Sequence, residues 1–551
     1  MLETQITKAD EAAASAAHQA KRAAMEAKPF DANLGDLMER FCKADPAAVA
    51  WVFFDSGETL TRHDVFDRVT RLASSLSRIG VGKGTHVALM MPNISAFPVT
   101  WLALARLGAV MIPVNVRYTT SELSYVLTNS EAEFLVIDRA LLGVFNALEA
   151  RPASLTNERI VVHGEGGDPP GAHRWHDLVA TGTSGYAPPW SVTAHDLMNI
   201  QYTSGTTGFP KGCMQPQLYW LTMGRVAAHR DGLELKNILI AQPFFYMDPQ
   251  WLTLMAMEQD GTTYVAAQPS ITRFMDWVHR YQIHFCIFPE LVYRQSERPD
   301  DGKSALRRIA TYGHTKSIHA DLQRRFNVVA REGFGMTEVG SALSVPLEAT
   351  HMVGSGACGV PSAFRACRVV DEQGNDVEQG EIGELLVRGP GIFKGYYKKP
   401  EANAASFFGD WFRTGDLFFQ DRNGYFTIVG RLKDMIRRSG ENIAAREVEA
   451  ALVTIEGVED AAAVPVRDPA RGEEVKAYVV LKPGYSRDKV TPDVILSEAA
   501  KSLAAFKVPR YLEYVEELPR TPSQKIKKDV LKALKPDPRV GSWDRVDRVW
   551  R

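Results

Sequence analysis

Residues 202–214 constrain this 551-residue chain most, because they combine hydroxyl groups, glycines and a lysine in the sequence YTSGTTGFPKGCM. They follow an apolar run at 197–202 that predicts a β-strand. Glycine lets backbone N–H groups turn toward an anion, while hydroxyl groups and a lysine add further donors. We therefore predict a loop that binds a polyphosphate group, formed by Thr203, Ser204, Gly205, Thr206, Thr207, Gly208 and Lys211.

This loop differs from the Walker phosphate loop, since Lys211 follows Gly208-Phe-Pro and no Ser or Thr comes after it. A solvated surface turn is the alternative interpretation of so much Gly, Ser and Thr. The length and order of the stretch favour the phosphate loop.

Four further motifs follow the loop along the chain. They are GFGMTE at 333–338, WFRTGD at 411–416, GRLKDMI at 430–436 leading into SGEN at 439–442, and PRTPSQK at 519–525. In this order the motifs resemble the adenylate-forming superfamily, which includes acyl-CoA synthetases, luciferases and the adenylation domains of peptide synthetases. The resemblance spans most of the chain.

Composition excludes several other classes of protein. A net charge of -2 and a sequence pI near 6.7 provide no basic field for nucleic acid or an anionic membrane. The five cysteines lack a Cys-x-x-Cys pair, which argues against a disulfide framework or zinc site and favours a reducing, cytoplasmic setting. Prolines and Arg106 interrupt the apolar region 87–116, so we expect no membrane span.

Alternation of short apolar runs with helical segments predicts an α/β fold with parallel-rich sheets. The first segments are strands at 87–91, 110–113 and 134–138 and a helix at 96–107, and further strands are predicted at 238–241, 262–265 and 285–288. The phosphate loop then follows the carboxyl end of a strand, where open α/β sheets usually bind ligands. Polar and apolar residues alternate over 354–431, which indicates a small β-rich subdomain.

The chain exceeds the length that one core usually organises, so at least two domains are expected. Beyond residue 431, helices at 447–453 and 526–534 and strands at 461–466 and 476–481 suit a small α/β domain. The resemblance implies a large N-terminal domain at 31–431, a hinge at 432–433 that includes Lys433, and a mobile C-terminal lid at 434–551. Alanine-rich residues 1–30 indicate a flexible helical extension.

Activation of a carboxylate by ATP requires cations and dipoles around the α-phosphate. The resemblance assigns Thr337 to the α-phosphate and acyl carbonyl, Glu338 to Mg²⁺, and Lys525 to the attacking carboxylate. An alternative is that Thr337 and Glu338 only begin a helix as its cap and first-turn acid. For the nucleoside, the resemblance implies contacts from Gly313, His314, Thr315, Phe334, Gly335, Asp416 and Arg431.

The resemblance also implies sites for the thiol and the acid. Ser439, Gly440 and Arg438 would contact CoA, although a solvated basic loop is the alternative for Arg438. The acyl pocket would be lined by Tyr246, Asp248, Trp251, Pro289, Glu290 and Gly340, with Tyr246 at the position of a frequent gating histidine. Acids beside aromatic rings suit a cationic acyl group, as in carnitine- and crotonobetaine-type CoA ligases. The alternative is that one or both acids face solvent, in which case the chain would resemble the fatty-acid-CoA ligases more closely.

The chain is therefore predicted to be an AMP-forming acid–CoA ligase that uses ATP, Mg²⁺ and coenzyme A on a small carboxylic acid, as a monomer or homodimer. Three alternatives remain. They are a stand-alone adenylating enzyme that loads a carrier protein, a luciferase-like oxygenase, and a nucleotide-binding module without catalysis. Retention of Thr337, Glu338, Asp416, Arg431 and Lys525 argues against the last.

Overall fold

The computed structural model describes residues 8–149, 151–167, 169–203, 210–312, 316–439, 441–521 and 525–551. These residues divide into two compact units. The first comprises the described residues up to Thr203 together with Pro210–Cys367 and Val387–Phe412, and the second comprises Arg368–Leu386 and Arg413–Arg551.

Helices of the first unit begin where the sequence supplies caps. Thr61 and Thr119 each accept a hydrogen bond from the backbone of an acidic residue three positions later, and each forms a capping box with it. The helix Ala96–Leu107 is buried at every residue, as expected for a helix that is apolar on all sides. The α-helices of this unit are Lys8–Ala27, Leu34–Ala44, Arg62–Arg78, Ala96–Leu107, Thr120–Asn129, Leu142–Asn146, Trp175–Thr181, Gln217–His229, Met247–Glu258, Phe274–Arg280, Glu290–Tyr293, His319–Phe326 and Pro400–Ser406.

Two sheets organise the first unit, and most of their neighbouring strands are parallel. The strand order in one is His173–Arg174, Ile160–His163, Phe134–Asp138, His86–Met90, Val110–Pro113, Leu197–Thr203 and Lys211–Pro216. The order in the other is Glu58–Thr61, Val49–Phe53, Thr262–Val265, Asn237–Ile240, Phe285–Ile287, Arg308–Thr311, Val329–Met336, Gly340–Ser344 and Ala357–Pro361.

A further set of strands covers the region predicted to be β-rich. It consists of Ala366–Val370, Gly383–Arg388, Trp411–Gln420 and Phe426–Arg431, with Phe407–Phe408 paired to Trp411–Gln420. Short 3₁₀ turns connect elements at Arg139–Leu141, Asn157–Arg159, Asp301–Lys303, Lys316–Ile318, Thr350–Met352 and Leu432–Asp434.

The second unit has its own apolar core and its own sheet. The strand order is Glu441–Ala444, Met435–Arg438, Gly472–Leu481, Tyr511–Tyr514, Trp543–Asp544 and Val549–Trp550, with Val458–Asp468 paired to Gly472–Leu481. Its α-helices are Ala445–Val453, Pro492–Ala499 and Lys528–Lys532. The helix predicted at 526–534 is thus shorter, because Ile526 forms a β-bridge with Arg520.

The α/β architecture with parallel-rich sheets and a small C-terminal α/β domain is confirmed. The exact domain limits, the hinge and the mobility of the lid stay predictions. Across the described ranges, no helix has both the length and the hydropathy that membrane crossing requires.

Candidate active site

The predicted phosphate loop joins two antiparallel strands, Leu197–Thr203 and Lys211–Pro216, in which Thr203 lies opposite Lys211. The ammonium group of Lys211 lies 4.1 Å from the centroid of the Tyr396 ring, a cation–π contact that leaves its hydrogen atoms able to bind anions. The predicted contacts of Ser204, Gly205, Thr206, Thr207 and Gly208 lie outside the described residues.

Thr337 and Glu338 lie in the turn between two antiparallel strands, Val329–Met336 and Gly340–Ser344. The alternative that they begin a helix is therefore wrong. Glu338 is 7% exposed, and its Oε1 accepts a hydrogen bond of 2.8 Å from the hydroxyl of Tyr396. Burial, followed by the Glu338 charge, raises the pKa of Tyr396, so Tyr396 remains a donor at neutral pH.

The backbone of this turn is also fixed. Three consecutive carbonyl oxygens accept hydrogen bonds from three different segments of the chain. The oxygen of Thr337 accepts from Gln215 Nε2 at 2.8 Å, that of Glu338 from the Phe393 amide at 2.8 Å, and that of Val339 from Arg365 Nε at 2.9 Å. These three bonds fix the backbone of the turn.

Cys213 is a further neighbour of the turn. Burial, with the nearby Glu338 carboxylate, raises the pKa of the Cys213 thiol well above its usual value, so the group stays protonated. It can therefore donate to Glu338 but cannot act as a thiolate nucleophile. The buried neighbours of Glu338, namely Tyr396, Cys213, Gln215 and Arg365, were not identified from the sequence, where no spacing relates them to the motif.

The glycines of the turn are required sterically. A Cβ at Gly335 would lie 2.6 Å from the oxygen of Gly340, and a Cβ at Gly340 would lie 2.5 Å from Met223 Sδ. Gly340 also has a φ of +70°, which disfavours other residues. Phe334, the predicted adenine contact, is a half-buried strand residue opposite Leu343, whereas Gly313, His314 and Thr315 lie outside the described residues.

The second unit contains the predicted ribose contacts. Asp416 and Arg431 are register partners on adjacent antiparallel strands, and Asp416 Oδ1 lies 3.2 Å from Arg431 Nε. Asp416 is 3% exposed whereas Arg431 is exposed, so the pair places a carboxylate beneath an accessible cation.

Lys525 lies in the same unit and is exposed. Its amide donates to Thr521 Oγ1 at 3.1 Å, and its carbonyl oxygen accepts from the Thr521 amide at 2.8 Å. Pro522, Ser523 and Gln524, between these two residues in sequence, lie outside the described residues. The backbone of Lys525 is thus bonded to Thr521 through both its amide and its carbonyl group.

The predicted CoA contacts differ in environment. Arg438 forms a 2.6 Å ion pair with the buried carboxylate of Glu474, while Ser439 is exposed and adopts a φ of 52°. Gly440 lies outside the described residues. Lys433 is exposed within the 3₁₀ turn Leu432–Asp434.

The predicted acyl-pocket residues begin two helices of the first unit. Tyr246 is the N-cap of Met247–Glu258, and in the first turn of that helix Asp248 Oδ1 accepts a 3.0 Å hydrogen bond from Trp251 Nε1. Burial raises the pKa of Asp248, an effect that the Trp251 hydrogen bond only reduces. Pro289 is the N-cap of Glu290–Tyr293, in which Glu290 is half-buried and pairs with Arg294.

Comparison with known proteins places these features in a family. The sequence model of the AMP-binding enzyme family matches residues 38–397, and that of the AMP-binding enzyme C-terminal domain matches residues 447–525. The crotonobetaine/carnitine–CoA ligase of Salmonella paratyphi C is 30% identical over 501 residues, which cover 87% of this chain and 95% of that protein. The same ligase of Citrobacter koseri is also 30% identical over 501 residues, with the same shares covered.

Solved structures show the same fold. ATP-bound MatB from Rhodopseudomonas palustris superposes with a TM-score of 0.79 at 26% identity, covering 91% of this chain and 99% of MatB. The anthranilate CoA ligase AuaEII, solved with anthranoyl-AMP, gives a TM-score of 0.81 at 23% identity and covers 93% of this chain and 98% of that chain.

The chain belongs to the AMP-binding enzyme family, within the adenylate-forming superfamily that its motifs resemble. It is an AMP-forming acid–CoA ligase, for which ATP and CoA are the co-substrates and an acyl-AMP is the intermediate. The sequence-based predictions of superfamily and enzyme class are confirmed.

Proposed function

We propose that this ligase activates a small polar or cationic carboxylic acid. The carboxylate displaces pyrophosphate from ATP to give acyl-AMP, and CoA then displaces AMP to give the acyl-CoA thioester. The observation that carries the choice of acid is the half-buried Asp248 carboxylate, which lies between Tyr246 and Trp251 in sequence and is bound by the indole N–H of Trp251.

The phosphate groups require positive charge and donors. We assign the β- and γ-phosphates to the loop 203–208 and to Lys211, whose ammonium is positioned by the Tyr396 ring. Thr337 would donate to the α-phosphate, because its side chain lies in a turn with a fixed backbone. Lys525 would neutralise the attacking carboxylate and the phosphoryl oxygens during adenylation.

Glu338 is the residue that would hold Mg²⁺. Magnesium prefers oxygen ligands and commonly binds through one or two carboxylates together with substrate phosphates. A buried carboxylate fixed by the Tyr396 hydroxyl fits that requirement. The metal, when bound, would neutralise phosphate charge; the chain's own part is to hold the carboxylate in place.

The remaining residues are assigned to the nucleoside, the hinge and CoA. Asp416 would accept from the ribose hydroxyls while Arg431 contributes charge, and Gly313, His314, Thr315, Phe334 and Gly335 would line the adenine. Lys433 would act as the hinge between the adenylation and thioester-forming states. Ser439, Gly440 and Arg438 would contact CoA, the last with its guanidinium already bound to Glu474.

Two observations favour a cationic acid: the carboxylate of the predicted acyl pocket and the names of the similar ligases. An aromatic group combined with a carboxylate binds quaternary ammonium well, and the relatives of 30% identity are named crotonobetaine/carnitine–CoA ligases. Glu290 contributes less charge than Asp248, because Arg294 pairs with it. Pro289 and Gly340 would complete the pocket wall.

A screen of pyrophosphate release tests this proposal. Crotonobetaine and carnitine should give a higher kcat/KM than uncharged unsaturated acids of equal chain length, because an apolar acid would leave the Asp248 carboxylate without a cationic partner. Asp248→Asn should lower kcat/KM for the cationic acids far more than for the uncharged ones. Asp488→Asn, at an exposed carboxylate of the second unit, is the matched control. A wild-type preference for plain alkyl acids would contradict the assignment.

We also propose a cytoplasmic enzyme that is a monomer or homodimer. The support for the compartment is that Cys42, Cys213, Cys286, Cys358 and Cys367 are all free thiols. Size-exclusion chromatography with light scattering measures the oligomeric state.

A further inference from the structure

Arg365 is the feature of the first unit that the chemistry above leaves unused. Its side chain is among the largest fully buried ones, with 1% of the residue exposed. Nε donates to the oxygen of Val339 at 2.9 Å, and Nη1 donates to the oxygens of Phe364 at 3.0 Å and Pro390 at 2.8 Å. One guanidinium therefore ties three backbone segments together.

Arg365 differs from an ordinary core residue because it carries a charge into the interior. Burial lowers the pKa of Arg365 to about 10, which still leaves it charged at neutral pH. In the described part of the chain it has no acidic partner within ion-pair distance. Backbone carbonyl oxygens accept from its Nε and Nη1, while Nη2 is buried without a hydrogen-bond partner there. An apolar side chain of similar volume would avoid the cost of desolvating a charge. The guanidinium is therefore better explained by the backbone oxygens that it binds than by core packing.

Two of the segments that Arg365 joins are those that form the Glu338 site. Val339 directly follows Glu338, and the chain beyond Pro390 leads to Phe393, whose amide donates to the oxygen of Glu338. The same segment ends at Tyr396, whose hydroxyl donates to the Glu338 carboxylate. Movement of either segment away from Arg365 would therefore change the position of that carboxylate.

The third segment is fixed from the other side by the N-terminal helix Lys8–Ala27. Glu26 accepts a 2.8 Å hydrogen bond from the Phe364 amide, and Arg22 donates a 3.0 Å hydrogen bond to the oxygen of Arg365. Phe364 adopts a φ of 64°, a left-handed conformation that non-glycine residues rarely keep without support. The helix thus supports the backbone turn that carries the guanidinium inward.

We propose that Arg365 is a positioning residue for the Thr337–Glu338 turn, and that the helix Lys8–Ala27 maintains Arg365 in that role. The proposal rests on the metal-binding role of Glu338 under the proposed function. It makes the N-terminal helix a part of the adenylation machinery, although none of the contacts described for that helix reaches Glu338.

The first experiment measures the turn itself. Hydrogen–deuterium exchange of a peptide covering 333–343 should be at least about tenfold faster in Arg365→Lys, because the single nitrogen of an ammonium group cannot reach the carbonyl oxygens that the separate Nε and Nη1 atoms of Arg365 bind. Arg62→Lys is the matched control, since Arg62 is also buried but binds the oxygen of Phe41 and Asp260 instead. Wild-type exchange of this peptide in Arg365→Lys, or an equal rise in Arg62→Lys, would overturn the proposal.

The second experiment measures the consequence for adenylation. With crotonobetaine and ATP, the Mg²⁺ concentration that gives half-maximal ATP–pyrophosphate exchange should rise about 10- to 100-fold in Arg365→Lys, the usual effect of removing a group that orients a metal ligand. Transfer from preformed acyl-AMP to CoA should remain normal, which a general loss of folding would not allow. An unchanged Mg²⁺ requirement would overturn the positioning role.

A surface variant covers the case in which Arg365→Lys does not fold. Arg22→Ala with Glu26→Ala removes the two helix contacts to residues 364 and 365, at partly exposed positions that the core does not need. Its Mg²⁺ requirement should shift in the same direction by a smaller factor, whereas Glu498→Ala with Lys501→Ala, a surface ion pair of the second unit, should leave it unchanged. No shift in the helix variant would remove the helix from the proposal. If wild-type protein shows no Mg²⁺-dependent exchange, the proposed function fails instead.

Discussion

At the scale of single residues, the two charges assigned to adenylation lie in opposite environments. Glu338 is buried and bonded to Tyr396, whereas Lys525 is exposed and its backbone is bonded to Thr521. A buried carboxylate is tolerated when its hydrogen bonds are satisfied, and it then holds one orientation. Under the proposed function, Lys525 serves the adenylation step alone.

Lys525→Ala should therefore affect the two half-reactions unequally. Adenylation, measured as pyrophosphate release, should fall on the order of 100- to 1,000-fold through loss of a charge contact to the reacting groups. Transfer of preformed acyl-AMP to CoA should stay near normal. Lys527→Ala, at an exposed lysine two residues away, should leave both rates unchanged. Equal losses in both half-reactions would refute the assignment.

Asp248 should reveal its burial through the pH dependence of stability. Its pKa is higher in the folded than in the unfolded chain, so the folded state favours the protonated form and the ionised carboxylate destabilises the protein at higher pH. Asn can still accept from Trp251, and Asp248→Asn should raise the Tm at pH 8. The gain should begin to shrink as the pH falls through the folded pKa, and it should vanish below the unfolded pKa, where Asp248 is neutral in both states. A pH-independent difference in Tm would show that Asp248 is not buried as described.

Some residues of the candidate site can be predicted from the sequence and others cannot. Thr337, Glu338, Asp416 and Lys525 could be predicted, because each belongs to a contiguous motif. Tyr396 and Arg365 could not, since their contacts to the turn join segments far apart in sequence. Nothing in either local sequence indicates which carbonyl or carboxylate it will meet.

At the scale of elements, the hairpin that contains the Thr337–Glu338 turn depends on close backbone approach. Gly335 lies where a Cβ would meet the oxygen of Gly340 at 2.6 Å. The register shifts between Phe334 and Gly335, which produces this approach. A side chain there would have to separate the strands that flank the turn.

Gly335→Ala should consequently weaken both stability and adenylation. We expect a loss of about 1 to 3 kcal/mol in unfolding free energy, the usual cost of forcing a group into packed structure. Gly143→Ala is the control, because a Cβ there meets nothing within 4 Å and lies in a helix, where Ala is favoured by about 0.5 to 1 kcal/mol. Urea unfolding measures the stability of both variants, and pyrophosphate release measures adenylation. A Gly335→Ala protein as stable as wild type would contradict the close backbone approach described for this turn.

Periodicity predicted several elements to the residue, among them the helix Ala96–Leu107 and the strands Val110–Pro113 and Phe134–Asp138. These elements are buried and apolar, so local sequence and tertiary packing agree. The helix predicted at 526–534 was too long because the bridge between Arg520 and Ile526 competes with its first turn. Such a pairing depends on the loop between them and is not visible in a hydrophobic pattern.

At the scale of the whole molecule, one enzyme must perform adenylation and thioester formation with different catalytic groups. The proposed hinge residue Lys433 lies in a short 3₁₀ turn between two strands of the second unit. A few residues with free φ and ψ are sufficient for such a change. The two steps should therefore be separable by a substitution far from the reacting atoms.

Lys433→Pro should preserve adenylation and slow the transfer of acyl-AMP to CoA, because proline fixes φ near −65°. Lys433→Ala leaves φ free and should support both steps. Single-turnover measurements of each half-reaction distinguish the variants. Normal transfer in Lys433→Pro would place the hinge elsewhere.

The enzyme activates its acid as an acyl-AMP before the acid meets CoA. Crotonobetaine labelled with ¹⁸O in its carboxylate, incubated with the enzyme, ATP, Mg²⁺ and CoA, tests this directly by mass spectrometry of the nucleotide product. Attack of the carboxylate on the α-phosphate, followed by displacement by the thiol, transfers one ¹⁸O to each AMP. AMP carrying one ¹⁸O is the predicted result. Unlabelled AMP, or ADP formed together with ¹⁸O-labelled inorganic phosphate, would contradict an acyl-AMP intermediate.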